Sequence, residues 1–436
     1  MFLLLYSILF PIAFLLYLPF YLVHIFRRGG LSIDFWERIA IYTKAKRQRL
    51  AQLDRPIWIH AVSVGETVAA LTFIRRWRER SPNQPFVFSA STSTGFATAC
   101  KKLPKDIVPI YCPIDCFFAV TRAIHAIRPA MLCIFEVEIW PNLIAAAKRN
   151  GAKVVLVNGR MSDHSSQGYA RWKAIFAPIF RSFDAICVQT DEDKLRIERV
   201  IGQDPRLHVC DTMKFDQIPD VAANDFSPQL AKAFGPDHKL IFTAGSTHPG
   251  EEDLMCDAFT AARAKHPELA MVLVPRHCER AADVAATVRH HGLSCRFSFH
   301  DSPDAERADT PAPVDVLIVN TTGELMNVFA ASDIAFVGKS TAGQTGGHNI
   351  IEPAIFAKPV VYGPHLENFR QVDDIFQNAH AAIRLANDDD LAQCLITLAD
   401  DPARRAELGQ KARAVVEQRR GAIDRTLNVI DLVLHP

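Results

Sequence analysis

Two spacings of apolar residues alternate along the 436-residue chain. Short continuous apolar runs, rich in β-branched and aromatic side chains, read as strands buried on both faces. In the first half these are Ile57–Val62, Phe86–Ser91, Met131–Glu136, Lys153–Asn158 and Ala185–Thr190. Between them lie stretches with helical spacing, such as residues 67–80, which end in the basic tip Arg75, Arg76, Arg78 and Arg80. The polar, proline-bearing stretch 217–238 reads as a linker, and the pattern then restarts with Lys239–Ser246, Ala270–Pro275, Val314–Asn320, Asp333–Gly338 and Pro359–Gly363. Residues 299–315 read as a surface loop. Strands alternating with helices predict an α/β protein with parallel sheets. The predicted division is a first domain over 27–216 and a second over 239–436, with the last helix able to pack back on the first domain.

The beginning of the chain breaks this pattern. Phe2–Val23 contains no charged residue, and at a rise of ~1.5 Å per residue it is long enough to cross a hydrocarbon core of ~30 Å. No basic stretch precedes it and no small-residue cleavage site follows, which argues against a cleaved signal peptide. Arg27, Arg28, Arg38, Lys44, Lys46, Arg47 and Arg49 follow instead. Residues 1–26 are therefore expected to anchor the protein, with its body on the cytoplasmic side. Pro11 and Pro19 leave both a spanning and an interfacial helix open.

A net charge of +1 gives no sign of a nucleic-acid partner, and 49% hydrophobic with 22% charged residues fits a globular chain. The ten cysteines lack paired zinc spacing and read as reduced thiols.

The candidate chemistry lies just after the predicted strands, where open parallel sheets bind ligands. In "HAVSVGETVAA" (60–70), Glu66 stands in the first turn of a helix. It is either a plain first-turn acid, stabilised by the helix dipole, or a group that does chemistry. "TAGSTHPGEE" (243–252) places Ser246 at a strand–helix turn able to approach an anion, and "VPRH" (274–277) ends a strand with Arg276 and His277. An arginine there suits a phosphate, unless Glu279 or Asp283 pairs with it. In "TGGHNIIEP" (345–353), Gly346 and Gly347 permit a tight turn with exposed amides. His348 and Asn349 are donors, and Glu352 can accept from a ribose diol. Neither a P-loop nor a GxGxxG is present.

Taken in order, "HAVSVGET", "EVEIWPNLI" (136–144), "NGRMSDHS" (158–165), "TMKFD" (212–216), "GSTHPGEE", "PRHCER" (275–280), "GELM" (323–326) and "GGHNIIEPA" (346–354) carry a resemblance. The chain resembles the 3-deoxy-D-manno-octulosonic acid (Kdo) transferases of lipopolysaccharide synthesis over nearly its whole length. The resemblance implies a GT-B fold, two Rossmann-like domains facing across a cleft, with the acceptor bound by the first and the nucleotide sugar by the second. It implies CMP-Kdo as donor, a lipid A precursor as acceptor, and a place on the cytoplasmic face of the inner membrane. Glu66 matches the general base, and Glu136 and Lys214 match groups that stabilise the transition state. Pro275, Arg276, Thr322, Gly323, Glu324, Asn349, Ile350, Ile351 and Glu352 match CMP-binding segments. Neither a metal nor another cofactor is expected, since cationic side chains and dipoles meet the leaving phosphate. The glycine-rich segment alone would also fit a GT-B transferase or epimerase using a UDP-sugar.

Overall fold

The computed structural model describes residues 3, 5–14, 16, 33–217, 224–235, 240–299 and 313–435. The chain forms two compact units, one of Met1–Gln217 with Arg420–Pro436 and one of Ile218–Arg419. Each contains a seven-stranded parallel sheet among its described residues.

In the first unit the strands are β1 (Ile57–Ala61), β2 (Phe86–Ala90), β3 (Val108–Tyr111), β4 (Met131–Phe135), β5 (Lys153–Gly159), β6 (Ala185–Val188) and β7 (Leu207–Val209). Their order is β3-β2-β1-β4-β5-β6-β7. Helices cover both faces, so β1, β2 and β4 are buried at every position. That is why they read as unbroken apolar runs and not as alternation. In the second unit, β8 (Leu240–Thr247), β9 (Leu269–Pro275), β10 (Cys295–Phe297), β11 (Val316–Ile318), β12 (Ile334–Val337), β13 (Val360–Tyr362) and β14 (Ile383–Arg384) follow the order β10-β11-β9-β8-β12-β13-β14. In both sheets the chain steps outward from β1 or β8 in two directions. The strand ends beside that reversal are where a ligand crevice forms.

The helix after β1 runs Val64–Arg80, three residues longer at its start than its apolar spacing predicts. The extension comes from a capping box. The Ser63 side chain accepts from the Glu66 amide while the Glu66 carboxylate accepts from the Ser63 amide. Its inner face joins Phe73, Ile74 and Trp77 to Ile423, Leu427 and Ile430 of the last helix, Ala422–Leu434, in one apolar core. Asp216 fixes that last helix by accepting from the Gly421 and Ile423 amides at 2.7 Å each.

Three of the four arginines at the tip of Val64–Arg80 are engaged within the first unit. Arg76 and Arg80 bind Asp424, Arg80 also binds Asn428, and Arg78 binds Asp106. These arginines hold the last helix and the turn before β3.

Within the stretch read as a linker, Ser227–Phe234 is a helix. Phe226, Leu230 and Phe234 pack with Ile241, Val272 and Leu317 in a core of the second unit. Most of the stretch read as a surface loop, residues 300–312, lies outside the described residues.

The anchor segment lies partly outside them as well. Among the described residues no helix is long and apolar enough to cross a membrane. Residues 5–14 are helical. Their inward side is tied down, with the Ser7 hydroxyl donating to Asn142 Oδ1 at 2.6 Å. Leu5, Ile8, Leu9, Ile12 and Leu16 are each more than half exposed, a row at helical spacing.

Candidate functional site

In the first unit, Glu66 is held at the mouth of its helix. Its Oε2 accepts from the Val62 amide at 2.8 Å and its Oε1 from the Ser63 amide at 3.2 Å. The first-turn role is thus real, and the donors also fix the carboxylate's orientation. An ionised carboxylate offers about four lone-pair sites, so each oxygen retains accepting capacity.

The EVEIWP segment follows β4 with Glu136 at φ 55°, an uncommon backbone for a residue with a side chain. The turn is anchored on both sides. The Glu136 amide donates to Val157 O, and Asp115 accepts from the Asn142 and Leu143 amides that begin the next helix. Glu136 and Glu138 both respond to Glu66. Burial and the Glu66 charge raise the Glu136 carboxyl, while burial, Glu66 and Glu136 together push Glu138 up to about 7. Like charges this close disfavour full ionisation of the group.

Opposite in sign is Lys214, in the short 3₁₀ turn Met213–Asp216. Asn158, itself at φ 54°, accepts from the Met213 amide through its Oδ1 and from Gln189 through its carbonyl. The "NGRM" and "TMKFD" strings are thereby one structure. Burial and the neighbouring Arg160 lower Lys214 to about 8, against the opposing pull of Glu136. Glu66, Glu136 and Lys214 are thus drawn into one electrostatic group. Glu138 and Arg160 belong to it too, and sequence reasoning did not single them out.

The second unit gathers its candidates after β8, β9, β11 and β12. Ser246 sits at φ 57° where the pairing of β8 with β9 shifts register. The turn there is organised by Glu251, wholly buried, in the first turn of the helix Glu251–Arg263. Its carboxylate accepts from the amides of His248 (3.0 Å), Lys339 (2.7 Å), Ser340 (3.0 Å) and Thr341 (3.1 Å), and from the Thr341 hydroxyl (3.0 Å). One carboxylate thus ties the "GSTHPGEE" turn to the glycine loop some ninety residues later. Glu252 beside it takes both guanidinium arms of Arg280.

Arg276 is exposed, with Glu279 and Asp283 making no ion pair to it. Thr322 and Gly323 (φ 94°) form an exposed turn before the helix Leu325–Ala330, and Glu324 accepts from Asn327. Pro275 closes β9 in buried surroundings.

The glycine loop departs from expectation in one respect. Gly346 and Gly347 do make the tight turn, at φ 103° and 65°, and a Cβ on Gly347 would stand 2.2 Å from Leu366 Cδ1. Their amides are already paired, however. Gly346 donates to Glu367 Oε2, Gly347 to Lys339 O and His348 to Gly338 O. These three amides are taken, so at this turn anion binding falls to side chains. Asn349 caps the short helix Ile351–Ala354 through the Ile351 amide and donates to Glu352 at 3.3 Å. Burial pushes Glu352 up to about 7, opposed by Asn349 and Arg276. Ile350 and Ile351 are fully buried, so their side chains belong to the core and only their backbone can serve a ligand.

Solved structures share the fold. The Anabaena protein HepE in complex with UDP aligns at TM-score 0.54 and 13% identity, over 87% of this chain and 99% of its own. A glycosyltransferase from Rickettsia africae aligns at TM-score 0.54 and 13% identity, over 88% and 99%. Identity that low speaks to fold alone, and the fold is that of the GT-B glycosyltransferases. Sequence goes further. Residues 34–217 match the family described as 3-Deoxy-D-manno-octulosonic-acid transferase (kdotransferase). A 3-deoxy-D-manno-octulosonic acid transferase of Bordetella pertussis is 30% identical over 426 residues, 95% of this chain and 96% of that one. Its namesake in Haemophilus influenzae is 29% identical over 92% and 95%. The chain belongs to the 3-deoxy-D-manno-octulosonic acid transferase family.

Proposed function

We propose that the protein transfers Kdo from CMP-Kdo to a lipid A precursor, inverting the anomeric centre, in the inner core of lipopolysaccharide. The observation that carries this reading is the near-full-length likeness to the Bordetella transferase, which spans both units. Glu66 takes the proton of the attacking hydroxyl as the glycosidic bond forms, on a lone pair not used by its own helix. Glu136 feels the charges of both Glu66 and Lys214. Lys214 meets the sugar carboxylate or developing charge, and the electron-rich Glu136 favours an oxocarbenium-like centre. On the second unit Arg276 receives the phosphate that leaves with CMP, while Asn349 and Glu352 address the ribose. No metal or further cofactor enters this scheme.

The exposed apolar row from Leu5 to Leu16 supports attachment to the cytoplasmic face of the inner membrane. A transferase or epimerase using a UDP-sugar is the competing reading. Incubating the protein with a lipid A precursor and either CMP-Kdo or UDP-sugars, with mass spectrometry of the lipid and assay of released nucleotide, separates them. Kdo-bearing lipid together with CMP is the expected result. Release of UDP, or no addition from CMP-Kdo, would overturn the proposal.

A further inference from the structure

His248 and His348 lie 100 residues apart in the sequence, yet their rings are 5.2 Å apart and 21° from parallel. Their Nε2 atoms lie 2.9 Å apart. Such a bond needs one N–H and one lone pair, so the pair cannot carry two imidazolium ions while it lasts. It is built to hold either no extra proton or one.

The surroundings set which. Burial lowers both rings from the usual histidine value, and Lys339, Arg276 and His277 act on both in the same direction, with Arg280 adding to the effect on His248. The His277 ring meets His248 edge-on at 6.3 Å. The nearby acids do not offset this, because each is engaged elsewhere. Glu251 accepts from five donors, Glu252 holds Arg280 and Thr247, Glu352 accepts from Asn349, and Glu367 takes the Gly346 amide and His365. The site is a set of cations with a neutral imidazole pair among them. Since the Gly346, Gly347 and His348 amides are also engaged, the side chains beside them are what an anion would meet there. An anion placed there reverses the sign of the local field and favours a proton on the pair.

We propose that the hydrogen-bonded His248–His348 pair is a proton-linked receptor for the nucleotide phosphate, taking up one shared proton when a dianionic phosphate monoester binds. This rests on the assignment of the donor to the second unit. In the reaction, the departing phosphate gains a negative charge as its bond to the sugar breaks and keeps the electron pair. The protonated pair meets that charge by donating a hydrogen bond, and no proton need leave it. His248 and His348 thereby become binding residues for the product state, which the charge on Arg276 alone would not tie to pH.

The test is calorimetric titration of the full-length protein in detergent with CMP at about pH 7.5, where the phosphate, with a second pKa near 6, is mostly dianionic. Buffers of low and high ionisation enthalpy reveal proton exchange. Wild-type protein is expected to take up close to one proton per CMP, and none with cytidine. CMP affinity should then fall by up to about tenfold per unit rise in pH. His248→Gln and His348→Gln should each abolish the uptake and flatten the pH dependence, while His277→Gln keeps both. CMP binding to the wild type without proton uptake overturns the proposal and leaves the donor assignment standing. Uptake that survives in both pair variants, or is lost only in His277→Gln, overturns it as well. Absence of any CMP binding removes the donor assignment and the proposal together.

Discussion

Beyond β1 and β4 of the first unit stand Glu66, Glu136 and Glu138, with Lys214 and Arg160 as the nearby cations. Beyond β8, β9 and β12 of the second stand His248, Arg276, His277, Lys339 and His348. Both sheets are parallel and grow outward from their first strand in two directions, and the contrast lies in the chemistry mounted at the strand ends beside that reversal. On the first, clustered carboxylates raise one another's proton affinity, a setting for taking a proton. On the second, clustered cations lower the proton affinity of the histidines among them, a setting for receiving an anion. At the basic end the buried acid Glu251 accepts from five donors and serves as a frame. Acids at the two ends therefore differ in role, and substitutions can separate them.

Glu251→Ala should have the largest effect. It leaves several buried donors unpaired, each at about 1–3 kcal/mol, and a total of ~3–5 kcal/mol is expected with CMP binding lost. Thermal unfolding and calorimetry check this. A variant that melts like the wild type would mean Glu251 is no frame.

Arg276→Ala should leave the melting temperature alone and weaken CMP by roughly 1–3 kcal/mol, a factor of about 5–150. Unchanged affinity would erase the contrast between the two ends.

A smaller effect is expected at Glu138, whose carboxyl is raised to about 7 in the fold. Below the unfolded value of 4.5 both states are protonated and the site is neutral to stability. As pH rises towards 7, the unfolded chain ionises first and stability is lost. Glu138→Gln should therefore raise the melting temperature near pH 8 and leave it unchanged near pH 4. Equal effects at both pH values would detach Glu138 from the acidic group.

The strands were legible because burial on both faces leaves no alternation, so Ile57–Ala61 and Phe86–Ala90 stand out as apolar runs. β3 was not, since Pro109 interrupts it, and β7, β10 and β14 span only two or three residues. The site strings were legible as strings. What joins them was not, because Glu251 reaches Lys339–Thr341 and His248 reaches His348 across about a hundred residues. The occupied amides of Gly346 and Gly347 were hidden for the same reason, their acceptors being set by the folded loop. The partners of Arg76 and Arg80 were hidden as well, because Asp424 lies in a helix 344 residues or more along the chain.

The most direct test of this division of labour is Glu66→Gln, measured for melting, CMP affinity and transfer on one preparation. Glutamine keeps the volume and one acceptor oxygen, so the loss of part of the capping box should cost ~1 kcal/mol or less. Transfer from CMP-Kdo should fall by about 10²–10⁴ with CMP affinity unchanged, because the proton acceptor alone is removed. Near-normal transfer in a folded, CMP-binding variant would contradict the account, and would leave Glu66 as a helix cap and nothing more.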